Sequence, residues 1–139
     1  DHVMILIEMV HDARVVRMDS EHLPPTIRKW LGDSIGWWEG DTLVIDTTNF
    51  SEKAAGFIIG SKDTHVIERL TRQKDGNILY NFKVEDDSQW TGPWTGEYVW
   101  RLSDQPVYEY ACHEGNYALG NIMRGARLLE RDRAGDSSE

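Results

Sequence analysis

Apolar and polar residues alternate with a period of two through most of this chain, and turn signals interrupt the alternation about every 8–12 residues. The pattern is clearest where Ile78, Tyr80, Phe82 and Val84 define one face of a strand. Parallel strands need long, usually helical, crossover connections, and helical spacing occurs only near the C-terminus. We therefore predict a mainly β fold with one C-terminal α-helix. Its strands are expected to form an antiparallel meander that closes into a barrel, for example a lipocalin-like one, or into a sandwich.

The length of 139 residues fits one domain. We predict a single β-rich domain over residues 1–133, followed by a disordered tail at residues 134–139. Apolar residues at helical spacing predict a helix over residues 117–131, with Asn116 as its N-cap. This helix is expected to pack against the sheet.

The two ends of the meander are expected to be long strands. Residues 3–16 predict one strand that bends near His11, and residues 107–114 predict the last strand. Between them, a hairpin turns at Glu39-Gly40-Asp41, and residues 65–72 and 78–85 predict a second hairpin.

Two segments break the alternation, at residues 19–36, which contain Pro24 and Pro25, and at residues 50–62. Proline excludes a regular ladder. We interpret the first segment as a surface loop or a lid over one end of the sheet. The second is a connection whose apolar residues either pack against the sheet or bind a partner.

Charge and cysteine content exclude several classes of protein. The formal net charge is −9, from 15 basic and 24 acidic residues. The electrostatic field of this negative charge repels nucleic acid and anionic membrane surfaces. Cys112 is the single cysteine, so an internal disulfide is excluded, and we interpret it as a buried structural thiol. The chain opens at Asp1 with no pattern typical of a signal peptide, and no apolar run approaches the ~20 residues that span a bilayer.

No catalytic sequence motif is present, but polar residues cluster around His11 and His113. If the first and last strands meet, these imidazoles approach each other with Asp12 and Glu114 nearby. The group is then suited to general acid–base catalysis. A divalent metal is a less favoured alternative, because the short His-x-His spacing is missing, and we expect no cofactor. The competing interpretation is that each histidine and carboxylate has a purely structural partner.

Six tryptophans and five tyrosines suggest either a large core or an aromatic-lined ligand site. The predicted ligand-binding residues are Trp38, Asp46, Arg69, Trp100 and Tyr110. A carboxylate on a half-buried strand face needs a partner, and for Asp46 we expect Arg69 or Arg72 to form a structural ion pair.

Three stretches together resemble a family of uncharacterised bacterial proteins: Trp38 to Phe50, Glu68 to Arg72, and Glu109 to Tyr117. Members of that family are mostly predicted to be exported and are longer than this chain. The resemblance implies a C-terminal domain of such a protein or a shortened relative, a bacterial and environmental source, and a periplasmic or extracellular location. It implies no assigned activity. Trp37 stands where the family is expected to have arginine.

Three functions are compatible with these observations. The leading hypothesis is a domain that binds a small, partly apolar molecule in a barrel mouth or sheet cleft. An enzyme (a hydrolase, lyase or isomerase) using His11 and His113 is the alternative. A third hypothesis is an oligomeric interaction module, with the apolar segment Phe57-Ile58-Ile59 in the interface.

Overall fold

The computed structural model describes residues 1–54, 60–111 and 113–136. The chain forms two compact units, Asp1–Tyr108 and Glu109–Glu139. The first is a β unit and the second carries the helix. The predictions for Cys112 and for the apolar segment 57–59 concern residues outside the described part of the chain.

The β unit contains, within its described residues, one open sheet of seven strands that neighbour one another in chain order. The strands are β1 (His2–Leu6), β2 (Ala13–Met18), β3 (Asp33–Glu39), β4 (Thr42–Thr48), β5 (His65–Arg72), β6 (Ile78–Glu85) and β7 (Trp94–Trp100). The prediction of a mainly β fold with a C-terminal helix is confirmed. Because β1 and β7 are the two edges of the sheet, a closed barrel is not formed.

The predicted long first strand is wrong, because the chain reverses between β1 and β2. A short 3₁₀ turn, Met9–His11, joins the two strands, and Val10 and His11 adopt positive φ angles of 60° and 57°. The strands pair antiparallel from His2↔Arg17 to Leu6↔Ala13. Alternation assigns side chains to faces but carries no information on chain direction, so it did not reveal this turn.

β2 and β3 pair in parallel, from Val16↔Ser34 to Met18↔Gly36, which corrects the purely antiparallel meander. The connection is the predicted loop, here residues 19–32, and it contains no α-helix. The loop is long enough to return the chain to the start of β2 without a helical crossover. The sheet is therefore mixed, with one parallel pair among the described strands.

The remaining pairs are antiparallel, and the two predicted hairpins are confirmed. Glu39↔Thr42 closes the β3–β4 turn, in which Gly40 has a positive φ of 59°, as the first position of a type II′ turn requires. The β5–β6 pair runs from His65↔Glu85 to Arg72↔Ile78 over the bounds that the sequence predicted.

The hydrophobic core lies on one side of the sheet, here called the core face. Its buried centre comprises Val16, Met18, Leu43, Ile45 and Leu70, and partly buried side chains pack around it, namely Val3, Ile5, Ile78, Tyr80 and Trp100. The register explains this grouping, because directly paired residues of neighbouring strands share a face.

The second unit contains one helix, α1 (Ala118–Asp136). It begins one residue later and ends five residues later than the predicted 117–131 helix, and residues 137–139 lie outside the description. The side-chain oxygen of Asn116 accepts a hydrogen bond from the backbone N–H of Ala118 at 3.1 Å. This bond satisfies one of the free donors at a helix start.

The predicted last strand is wrong: of residues 107–111 and 113–114, none belongs to a strand. The side chains of these residues alternate as they do in a strand, but a strand also needs a hydrogen-bonded neighbour, which alternation does not specify. Across the described part of the chain, no helix has the length and apolar character to cross a membrane.

Candidate functional site

An ion pair lies on the core face between β2 and β5, two strands that are not neighbours in the sheet. Arg14 Nη1 donates to Glu68 Oε2 at 2.6 Å and Arg14 Nη2 donates to Glu68 Oε1 at 2.9 Å. The side chains are 17% and 4% exposed. Two parallel charge-assisted bonds fix both the distance and the orientation of the pair.

Tyr80 on β6 completes this group. Its hydroxyl donates to Glu68 Oε1 at 2.7 Å. Burial and the adjacent negative charge of Glu68 raise the pKa of Tyr80 far above its ordinary value. The phenol therefore stays protonated and serves as a hydrogen-bond donor to the carboxylate.

Aromatic rings of β6 and β7 extend from Tyr80 along the same face. Tyr80 stacks on Trp100 with ring centroids 4.7 Å apart and an interplanar angle of 18°. Phe82 meets Trp94 edge-to-face at 5.5 Å. Gly96 pairs with Phe82 and leaves room for its ring, because a Cβ there would fall inside the space that the ring occupies.

These groups border one cavity of about 410 Å³, here called the aromatic cavity. The Arg14–Glu68–Tyr80 group supplies its charged side chains, and the rest of its lining is apolar or aromatic: Ile5, Ile7, Leu31, Phe50, Val66, Phe82, Val84, Trp94, Tyr98 and Trp100. A mainly apolar concavity with a few convergent polar groups is the usual form of a small-molecule site.

Two N–H groups of the cavity lining are buried without a hydrogen-bond partner in the described structure, Arg14 Nε and Trp94 Nε1. Leaving a buried donor unpaired costs about 1–3 kcal/mol. Both groups are donors, and protein atoms enclose each of them.

A second polar cluster lies on the opposite face of the sheet, around Asp46 of β4. His22 Nε2 and His65 Nε2 lie 3.1 Å and 2.9 Å from Asp46 Oδ1. The other ring nitrogens face further carboxylates, with His22 Nδ1 3.2 Å from Asp33 Oδ2 and His65 Nδ1 3.3 Å from Glu85 Oε2. A continuous chain of alternating carboxylates and imidazoles results.

The carboxylates of this hydrogen-bonded series control the protonation of its histidines. The hydrogen bond that His65 donates to Asp46 raises the pKa of His65 against the effect of burial, and the charge of Glu85 adds to the shift. Burial opposes the ionisation of Asp46, but the bonds and charges of His65 and His22 outweigh it and lower the pKa of Asp46. All four ring nitrogens face carboxylate oxygens, so neither histidine has a nitrogen free to act on a substrate.

Asp33, at one end of the series of carboxylates and imidazoles, anchors the loop of residues 19–32. Its fully buried carboxylate accepts bonds from Arg17 and Lys29 and from the backbone N–H of Leu23. Burial opposes its ionisation, but the bonds from Lys29, Leu23 and His22 hold the pKa of Asp33 well below its usual value. The group ties the loop to the start of β3.

The predicted catalytic residues lie in both units. His11 ends the β1–β2 turn and is exposed, and Asp12 follows it. His113 and Glu114 belong to the unit that carries α1. Their predicted meeting with His11 stays a prediction. Across the described part of the chain, no group of three or more His, Cys, Asp or Glu side chains is arranged to hold a metal ion.

The predicted ligand-binding residues are dispersed. Trp100 lines the aromatic cavity. Trp38 is exposed near the end of β3, and Tyr110 lies in the second unit. The expected ion pair of Asp46 with an arginine is wrong, because Asp46 bonds to histidines and Arg69 pairs with Glu39 at 2.7 Å.

Sequence reasoning missed Arg14, Glu68, His22 and His65 as site residues. Glu68 did leave a signal, since it lies between apolar Val66 and Leu70 on one face of its strand. A carboxylate in that position needs a buried partner. Arg14 could not be identified as that partner, because the turn before β2 determines which face it occupies.

No protein-family model, curated protein or solved structure matches the chain. The function is therefore inferred from the geometry of the aromatic cavity. The family resemblance of the three sequence stretches stays a prediction.

Proposed function

We propose that the β unit binds a small, mainly apolar molecule in the aromatic cavity. The observation that carries this proposal is the cavity of about 410 Å³ with Arg14, Glu68 and Tyr80 among its lining. Its volume lies in the range of about 300–1,000 Å³ that is common for ligand sites.

The desolvation cost of the Arg14–Glu68 ion pair supports a role for this pair beyond folding. The free-energy cost of desolvating a buried ion pair often offsets the attraction between its charges. Proteins in which apolar side chains of similar volume replace the pair are frequently as stable. The Arg14–Glu68 pair lies among the aromatic and apolar side chains that line the cavity. A polar group in such surroundings is what gives a binding site its orientation and specificity.

A cavity-filling pair of variants tests the proposal. Val66 lines the cavity, whereas Val99 of β7 lies on the opposite face and is 44% exposed. We expect Val66→Phe to weaken binding of cavity ligands at least tenfold, and Val99→Phe to leave it unchanged. A dye-displacement screen of uncharged aromatic compounds, followed by native mass spectrometry, supplies the ligands and the affinities. Equal affinities in both variants, or no bound compound at all, would refute the proposal.

The acid–base enzyme is not favoured at the second polar cluster, because the ring nitrogens of His22 and His65 already face carboxylates. For His11 and His113 it stays a prediction. The oligomeric module stays one too, since its apolar segment lies outside the described residues.

A further inference from the structure

The strand β1 is one edge of the sheet, and part of its backbone points away from its neighbour β2. At one end of this pair, Ile7 N–H donates to the carbonyl of Asp12 at 2.8 Å, and at the other end Met18 N–H donates to the carbonyl of Asp1 at 3.1 Å. Hydrogen-bonded and non-hydrogen-bonded pairs alternate along an antiparallel ladder, so the odd-numbered residues of this segment bond to β2. The backbone N–H and C=O groups at the free edge belong to the even-numbered residues, His2, Met4 and Leu6.

The side chains of β1 make this edge apolar on both faces. Val3 and Ile5 pack on the core face. On the opposite face, Met4 is 64% exposed and lies beside Val15 of β2, which is also exposed. Further exposed apolar side chains of the same hairpin are Leu6, Ile7, Met9 and Val10. A strand that pairs with β1 therefore gains backbone hydrogen bonds and removes apolar side chains from water.

β1 also lacks the features that protect an edge strand from pairing, which include charged side chains, proline and bulges. It contains no lysine, arginine, aspartate, glutamate or proline, and its register with β2 is uninterrupted. The other edge of the described sheet, β7, carries Glu97 at its centre and is preceded by Pro93. Of these two edges, β1 is the one suited to pair with a further strand.

A second copy of β1 fits this edge. Antiparallel pairing about a two-fold axis at Met4 places Met4 opposite Met4 of the second copy and His2 opposite Leu6 of the second copy. These pairs use the outward backbone groups on both sides. Val3 then lies opposite Ile5 of the second copy, so residues of the core face meet residues of the core face. No charged side chains of β1 face each other, which matters for two chains that each carry a net charge of −9.

We propose that two copies of this chain form a symmetric dimer by pairing their β1 strands edge to edge. Interfaces usually contain about one hydrogen bond per 100–200 Å², so the about six backbone bonds of this pairing correspond to roughly 600–1,200 Å². That area lies at the lower end for specific interfaces, and the dimer is therefore reversible rather than permanent. Ile5 lines the aromatic cavity, so the second copy contacts one wall of that cavity through Val3.

Size-exclusion chromatography of the whole chain with light scattering tests the proposal. The mass is expected to rise from 16.0 kDa toward twice that value as the protein concentration increases. Met4→Lys should return the protein to the mass of one chain, because the two-fold axis places both ammonium groups side by side. Val15→Lys is the matched control and should leave the dimer intact, because Val15 lies beside Met4 on the same face but one strand further from the axis.

Met4→Pro tests the use of the backbone. Proline removes the outward N–H of Met4 but none of the N–H groups that bond to β2, so the hairpin should form while the dimer is lost. In the unaltered protein, amide hydrogen exchange followed by NMR should become slower at Met4 and Leu6 as the protein concentration increases. This measurement decides even where a variant fails to fold.

Several results would overturn the proposal. The first is the mass of a single chain at every concentration. The second is an equal loss of dimer in Met4→Lys and Val15→Lys, because the exposed face rather than the edge would then carry the contact. The third is amide exchange at Met4 and Leu6 that does not depend on concentration. The last is a mass that rises beyond two chains, since a two-fold pairing of edges closes after two copies.

Discussion

Replacing Arg14 by methionine tests the ion pair of the core face. The substitution keeps an unbranched apolar stem but removes both hydrogen bonds from the guanidinium to Glu68, whose side chain is only 4% exposed. The hydroxyl of Tyr80 remains as its single side-chain partner. Removing one partner from a buried ion pair costs about 3–5 kcal/mol.

In the variant, the buried carboxylate of Glu68 keeps one of the three side-chain hydrogen bonds that it accepts in the native protein. We therefore expect Arg14→Met to lower the free energy of unfolding by about 3 kcal/mol.

Urea unfolding measures the effect. With a urea dependence of about 2 kcal/mol/M for a domain of this size, this loss moves the midpoint by about 1.5 M. Arg69→Met is the matched control, because it also removes an arginine–glutamate pair between strands, but both of its partners are exposed. Its midpoint should stay unchanged.

One result would contradict this expectation. A loss for Arg14→Met no larger than that for Arg69→Met would mean that the pair on the core face is as well hydrated as a surface pair.

Three further outcomes are expected. His65 has a raised pKa, so its stabilising contribution is complete below about pH 6.5 and disappears as the pH rises through the folded-state value; the deficit of His65→Gln in urea unfolding should therefore shrink from pH 6 to pH 9. Gly96→Ala should displace the Phe82 ring, destabilise the fold by about 1–3 kcal/mol and abolish binding of the compounds found by dye displacement, whereas Gly92→Ala, with open space around its Cβ, should do none of these. Asp33→Ala should release the loop of residues 19–32, measured as faster tryptic cleavage of the native protein, and an unchanged rate would contradict the anchoring role.

Local sequence patterns were sufficient to predict the pairs of neighbouring strands that are joined by short turns. The β5–β6 hairpin matched its predicted bounds, because Asp75-Gly76 supplies the turn and the alternation from Ile78 to Val84 fixes the buried face. The β3–β4 hairpin was predictable for the same reason, since glycine at the first turn position accepts the positive φ that the reversal requires.

The parts of the site could not be predicted because they depend on the faces and partners of distant strands. The turn at Val10 and His11 places Arg14 on the same face as Val3 and Ile5, whereas an uninterrupted strand would place it on the other. That single reversal brings Arg14 to Glu68, 54 positions later in the chain. The histidines of the opposite face meet through Asp46 for a similar reason, because the loop before β3 brings His22 back to β4.

The sequence alone determined the class of fold, the β3–β4 and β5–β6 hairpins and the helix near the C-terminus, because alternation and turn residues act over a few neighbouring positions. Only the tertiary structure decided that β2 and β3 run in parallel, that the sheet stays open, and that Arg14, Glu68 and Tyr80 share one cavity. Those features depend on which strands meet across tens of residues, and a carboxylate in the sequence does not specify the distant cation that makes its burial tolerable.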